Sequence, residues 1–106
     1  MITVLPQPMQ GDIHILAACE GGQTLGTVQY RTVQQTVHVT ALDCPIDALA
    51  DGLLRACLNA ARAAGCVQAV CALDERLDWL QRKGFAVQNG AASVAIEPFF
   101  ARGCRH

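Results

Sequence analysis

The stretch between Pro45 and Gly65 limits this chain more than any other part of it. Polar residues recur there at Asp47, Asp51, Arg55, Asn59 and Arg62, a spacing that draws one solvated stripe along a helix. The opposite side carries Leu49, Leu53, Leu54, Cys57, Leu58 and Ala61. Pro45 suits a first helical turn, where a missing N–H costs nothing. Asp51 and Arg55 form an i,i+4 pair in the favourable order, worth about 0.3 kcal/mol. Gly65 ends the helix in the position just past its last turn. A helix apolar on one side must bury that side on something, and the flanking sequence supplies strands for it.

Upstream, a first strand reads over residues 2–5 and stops at Pro6-Gln7-Pro8, where two prolines are expected to end a sheet. A second reads over about 13–20, with Ile13, Ile15, Ala17 and Cys19 alternating on one face. Gly21-Gly22 marks a tight turn. A third strand covers about 24–32 and a fourth about 36–42, joined by a short loop at Val33-Gln34-Gln35. Connections this short make strands two to four an antiparallel meander.

Downstream, residues 66–73 form a short apolar run that reads as a buried strand. A strand–helix–strand crossover makes it parallel to the fourth strand. Asp74 is expected to cap a second helix, with Leu77 and Leu80 facing inward, Asp78 pairing with Arg82, and Gly84 as its stop. Residues 85–87 begin another strand, Asn89-Gly90 is a strong hairpin signal, and residues 92–96 return. Pro98 ends regular pairing. The tail, residues 99–106, brings two aromatics that need burial, against the body or against a second subunit of a homodimer.

The whole reads as one α/β (α+β) domain: a mixed, mostly antiparallel sheet with a central parallel strand pair and two main helices. The 106 residues suffice for a single core. A content of 52% apolar and 5% aromatic residues makes that core one of small aliphatic side chains. The net charge of −1, without a basic cluster, argues against nucleic acid as a partner. No apolar run reaches the length of a membrane span, and the N-terminus lacks the pattern of a signal peptide, so a cytoplasmic location follows by default. Six cysteines (Cys19, Cys44, Cys57, Cys66, Cys71, Cys104) contain no C-x-x-C pair, and the histidines are scattered at His14, His38 and His106. Reduced thiols buried as small hydrophobes are the expectation, with neither a disulfide framework nor a metal site.

The ordered set of strand, meander, long helix, parallel strand, shorter helix and hairpin, with Gln81-Arg82-Lys83-Gly84-Phe85 closing the second helix, resembles the GNAT acetyltransferase superfamily over about residues 12–96. That family commonly reads Tyr-x-x-x-Gly-Phe at this point. The resemblance implies an acyl-CoA-dependent N-acyltransferase acting on a small-molecule or peptide amine, with acetyl-CoA or another CoA thioester as cofactor. It implies a pantetheine arm lying between splayed fourth and fifth strands, and a pyrophosphate at the front of the long helix, where free N–H groups and a positive dipole end favour an anion. The backbone around Ala41, Leu42 and Asp43 and the N–H groups of Ala48, Leu49 and Ala50 would then hold the cofactor. With Leu53-Leu54 set on the family's leucine pair, the family's basic residue falls on Pro45 and its glycines on Ile46, Ala48 and Ala50. Asp47 and Asp51 add negative charge there, each such contact costing on the order of 1 kcal/mol near a surface.

The family's tyrosine, which reprotonates the departing thiolate, falls on Leu80, beside Trp79. The helices that normally separate the first two strands are replaced by residues 6–11, too few to form them. Three other residues, His38, Tyr30 and Cys44, are the candidates for catalytic chemistry. His38 on the fourth strand, with Glu20 as a lesser choice, is a candidate base, because imidazole exchanges protons near neutral pH. Its alternative role is to stack across the sheet on Tyr30, the only tyrosine. Cys44 heads the long helix, a place that activates thiols, although Asp43 and Asp47 oppose the thiolate. A non-catalytic module for ligand binding or protein interaction, and a thiol protein using Cys44, are the competing readings.

Overall fold

A computed structural model describes residues 1–103; Cys104 and His106 lie outside the described residues. Seven strands form one sheet in the order β1-β2-β3-β4-β5-β7-β6. They are β1 (Thr3–Gln10), β2 (Ile13–Glu20), β3 (Gln23–Val33), β4 (Thr36–Asp43), β5 (Gln68–Cys71), β6 (Ala86–Gln88) and β7 (Ala91–Ala95). The helices are α1 (Asp47–Ala63), α2 (Leu77–Arg82), which follows a 3₁₀ turn at Asp74–Arg76, and α3 (Ile96–Gly103). Only β4 and β5 are parallel, with α1 as their crossover.

Most of the turn chemistry acts as its residues dictate. Gly21, Gly22, Asn89 and Gly90 all take positive φ in two-residue hairpin turns. Gly65 closes α1 at φ 98°, with Cys66 N–H donating to Ala61 O at 2.9 Å and Gly65 N–H to Arg62 O at 3.0 Å. Gly84 repeats that arrangement behind α2 on the carbonyls of Leu80 and Gln81.

Several expectations fail for identifiable reasons. The first strand does not stop at Pro6; β1 runs on to Gln10 and turns into β2 at Gly11-Asp12. It is an edge strand, so one of its hydrogen-bonding sides has no partner to miss the proline N–H groups. The alternation of Ile13, Ile15, Ala17 and Cys19 left open which side of β2 faces the core, and it is the other one. Register pairs Leu16 with Val28 and Ala18 with Gly26, and Leu16, Ala18, Val28, Tyr30, Val37 and Val39 pack into the cluster beneath α1. The tail does bury an aromatic against the body, Phe99 on Phe85, and it does so as a short further helix, α3, that the sequence did not reveal. Pro98 is its third residue, where the N–H would have had no intrahelical acceptor. Asp74 makes no side-chain cap, and Asp78 and Arg82 form no ion pair among the described residues. The Asp51–Arg55 pair is present at 3.0 Å.

The core joins Leu53, Leu54, Cys57 and Leu58 of α1 to the sheet, and Leu80, Phe85, Ile96 and Phe99 extend it toward β7. Cys44, Cys57, Cys66 and Cys71 are buried and unbridged, and Cys19 is half-buried. Burial pushes the Cys71 thiol up to about 12 and the Cys57 thiol higher still, with Cys71 and Cys66 adding to the effect on Cys57. These four thiols therefore serve as small apolar side chains.

Candidate functional site

The site begins with a bulge. Tyr30 pairs with Val39, but Gln29 pairs with Ala41, so Thr40 is an extra residue in β4. Bulges bend the strand that carries them and raise its twist. The bend falls where β5 ends. The parallel ladder runs from Thr36 opposite Gln68 to Val39 opposite Cys71, and a last bond joins Ala72 N–H to Val39 O at 3.2 Å. Beyond it the two chains part. A cleft of about 300 Å³ opens between Thr40–Asp43 on one side and Ala72, Leu73, Asp74 and Glu75 on the other. Ala41, Leu42 and Asp43, singled out from the sequence, all line it.

A larger cleft of about 670 Å³ shares Leu42, Asp43 and Glu75 with the first and reaches the front of α1. Ile46 precedes that helix with no side-chain cap. The first intrahelical bond is Ala50 N–H to Ile46 O at 2.8 Å. The amides without an intrahelical acceptor are therefore those of Asp47, Ala48 and Leu49. Ala50, expected among them, is satisfied, and Asp47 takes its place.

Four carboxylates (Asp43, Asp47, Glu75, Asp78) and two guanidinium groups (Arg76, Arg82) line this larger cleft. Arg76 is the residue the sequence did not reveal. It reaches back from the 3₁₀ turn, donating from Nη2 to Cys44 O and from Nη1 to Asp47 Oδ1 at 3.4 Å. Its guanidinium also lies 4.8 Å from the Trp79 ring centroid, and Lys83 Nζ is 4.6 Å from the same ring. Only the chain reversal after β5 brings residue 76 to residue 44, so no local pattern could have shown it.

The reactive candidates are dispersed. Cys44 is 3% exposed, its thiol directed to Ile46 O at 3.5 Å and packed against Gly26, so it is shielded rather than presented. Tyr30 points into the core beneath α1, where burial, then Cys57 and Cys66, raise its phenol above the ordinary range. His38 pairs across the sheet with Arg31 and lies on the opposite face from Tyr30; the imidazole stacked on Tyr30 is His14, at 4.9 Å. The β2–β3 register, which sets His14 against Tyr30, decides this. Glu20 is solvated at the β2 turn, 3.4 Å from the N-terminal amine. Among the described residues no three His, Cys, Asp or Glu side chains converge on a point, and no helix is long and apolar enough to cross a membrane.

No family model and no curated protein matches this chain by sequence. Solved structures do match by shape. A GNAT family acetyltransferase from Elizabethkingia anophelis, with acetyl-CoA bound, superposes with a TM-score of 0.71 at 11% identity over 89% of this chain and 97% of its own. A candidate acyl-CoA N-acyltransferase from Klebsiella pneumoniae gives 0.73 at 12% identity, covering 91% and 98%. The PaiA N-acetyltransferase of Thermoplasma acidophilum, in complex with coenzyme A, gives 0.71 at 12% identity over 79% of this chain and 61% of that one.

The chain has the GNAT acetyltransferase fold. Its parted strands are the GNAT fourth and fifth strands, and its α1 is the helix whose front the resemblance assigns to a pyrophosphate. Leu80, on which the resemblance sets the family's tyrosine, is fully buried, and no residue of α2 carries a hydroxyl. The turn at Gly11-Asp12 puts no helix between β1 and β2, which leaves the sheet face bearing His38 and Ile15 uncovered by any helix among the described residues.

A CoA thioester fits part of this geometry well. The cleft beside Thr40–Asp43 exposes strand backbone that β5 does not pair, suited to an extended amide-bearing arm. The unbonded amides of Asp47, Ala48 and Leu49 and the Arg76 guanidinium provide donors for an anion. The carboxylates around them reduce that attraction without removing the donors.

Proposed function

We propose that this domain binds an acyl-CoA thioester in the opening between β4 and β5 and transfers the acyl group to a small-molecule or peptide amine. The observation that carries the reading is the divergence of the two strands after Val39 and Cys71, which leaves Thr40–Asp43 beside an open cleft continuous with the front of α1. A fold by itself does not confer chemistry, so the reading rests on this opening and not on the likeness alone. The bound coenzyme would supply the activated thioester. The protein's part is to hold it along β4 and leave the acyl carbon open to an amine arriving over the uncovered sheet face. The overall exchange would balance as amine plus thioester giving amide plus thiol, and α2 has no hydroxyl to relay the proton between them.

A thermal-shift titration with acetyl-CoA tests binding. At about a hundred times the dissociation constant a ligand adds about 2.7 kcal/mol, a shift easily seen. No shift with acetyl-CoA or CoA would end this reading. One observation favours a second reading, a non-catalytic binding module: with Leu80 buried, α2 has no hydroxyl to reprotonate a leaving thiolate. The two separate by following free thiol in the presence of acetyl-CoA and a panel of primary amines. Binding without amine-dependent thiol release would establish the second.

A further inference from the structure

A GNAT cradle holds its anion with glycine amides and a basic residue in the loop before the long helix. Here that loop offers Pro45, Ile46 and Asp47 instead. A cation nevertheless stands at the same helix front, delivered from elsewhere. Arg76 comes from the turn after β5 and spans Cys44 O and Asp47 Oδ1, lying over Trp79. Its side chain is 14% exposed, so its position is largely set by packing, and that remaining surface faces the cleft. Arg82 lines the same cleft but forms no ion pair among the described residues, and Lys83 is engaged by Asp51 at 2.7 Å.

We propose that Arg76 is the residue that recognises the diphosphate end of the coenzyme in this chain, and that Asp47 competes with the ligand for it. This rests on the acyl-CoA reading above. The Asp47 carboxylate is 73% exposed and its contact with Arg76 is long at 3.4 Å, the kind of ion pair that water and salt weaken. A diphosphate offers the guanidinium several oxygens in place of one and can accept from the amides of Ala48 and Leu49 at the same time. Arg76 therefore exchanges one anion for another without leaving Trp79 or the Cys44 carbonyl. The guanidinium thus holds the helix front together in the free protein and becomes a ligand contact in the complex.

Isothermal titration with CoA and, separately, with pantetheine, which lacks the diphosphate, tests this. Arg76→Gln should weaken CoA binding about tenfold or more, the loss expected for one charge-assisted contact, and leave pantetheine binding within about twofold. Asp47→Asn should tighten CoA about threefold or more by removing the competitor, again with pantetheine unchanged. Because Arg76 also braces the Cys44 carbonyl, Arg76→Gln could fail to fold, and Asp47→Asn then decides the matter alone. CoA affinity unaltered in both variants overturns the proposal, as does an equal loss of CoA and pantetheine in Arg76→Gln. If the unaltered protein binds neither compound, the acyl-CoA reading itself fails, an outcome distinct from a bound CoA that ignores residue 76.

Discussion

Gly26 and Cys44 meet so closely that one added methyl group should be felt throughout the domain. Gly26 lies on β3 opposite Ala18, and Cys44 leads from β4 toward α1. A Cβ built on Gly26 would lie 2.8 Å from both Cβ and Sγ of Cys44 and 3.1 Å from Asp43 O. Ordinary carbon contacts are about 3.5–4.0 Å, so Gly26→Ala demands about 0.7 Å of movement. Neither side yields easily. Gly26 is buried in a central strand, while Cys44 is 3% exposed and held through its carbonyl by Arg76. Overpacking of this kind costs about 1–3 kcal/mol, a sizeable part of the roughly 5–15 kcal/mol that holds a domain. At about 4–8 °C per kcal/mol the thermal midpoint should fall by roughly 5–20 °C. A double-mutant cycle in urea gives the cause: Cys44→Ala removes Sγ and should restore part of the loss, and Cys44→Gly, which removes Cβ as well, should restore more. Coincident melting curves for Gly26→Ala and the unaltered protein, or no coupling between positions 26 and 44, would refute the reasoning.

Other outcomes follow from the same geometry. Burial raises the Asp51 carboxyl, but hydrogen bonds from Lys83 and Arg55 outweigh it and hold the group below the usual carboxylate range. Its stabilisation is then present above the unfolded value of about 3.9 and lost as pH falls through the lower folded one. Asp51→Asn should cost on the order of 1 kcal/mol at pH 7, discounted because the partners are 38% and 22% exposed. The two proteins should converge in acid, and a difference constant from pH 7 to below 3 would contradict the assignment. Ala72→Phe should fill the opening between the parted strands and abolish the thermal shift with acetyl-CoA while leaving the free midpoint within about 1 kcal/mol, since residue 72 is exposed. Alkylation of the native protein, read by peptide mass, should modify Cys19 before Cys44, Cys57, Cys66 or Cys71; rapid labelling of Cys44 would restore it as a reactive thiol.

Much of the fold is legible residue by residue because its signals are local. The two faces of α1 are visible in the spacing of Asp47, Asp51, Arg55 and Leu53, Leu54, Leu58. Its end is visible in Gly65, and the hairpin in Asn89-Gly90. The parallel pairing of β4 and β5 follows because a right-handed crossover through a helix of that length has few other outcomes. The end of the first strand is misread because Pro6 is judged by what proline forbids inside an element, whereas it lies on an open edge where no donor is required. Pro98 does follow the end of strand pairing, and it falls in the first turn of α3, where its missing N–H costs nothing.

By itself the sequence determined the alternation of strands and helices and the antiparallel meander, since these depend on periodicity and turn residues a few positions apart. Tertiary structure alone decided the extra residue at Thr40 that drives β4 from β5, the choice of His14 over His38 as the neighbour of Tyr30, and the arrival of Arg76 at Cys44 and Asp47. Each of these joins residues 9 to 32 positions apart along the chain. Such contacts follow from strand register and the packing of whole elements, and no nearby sequence pattern encodes them.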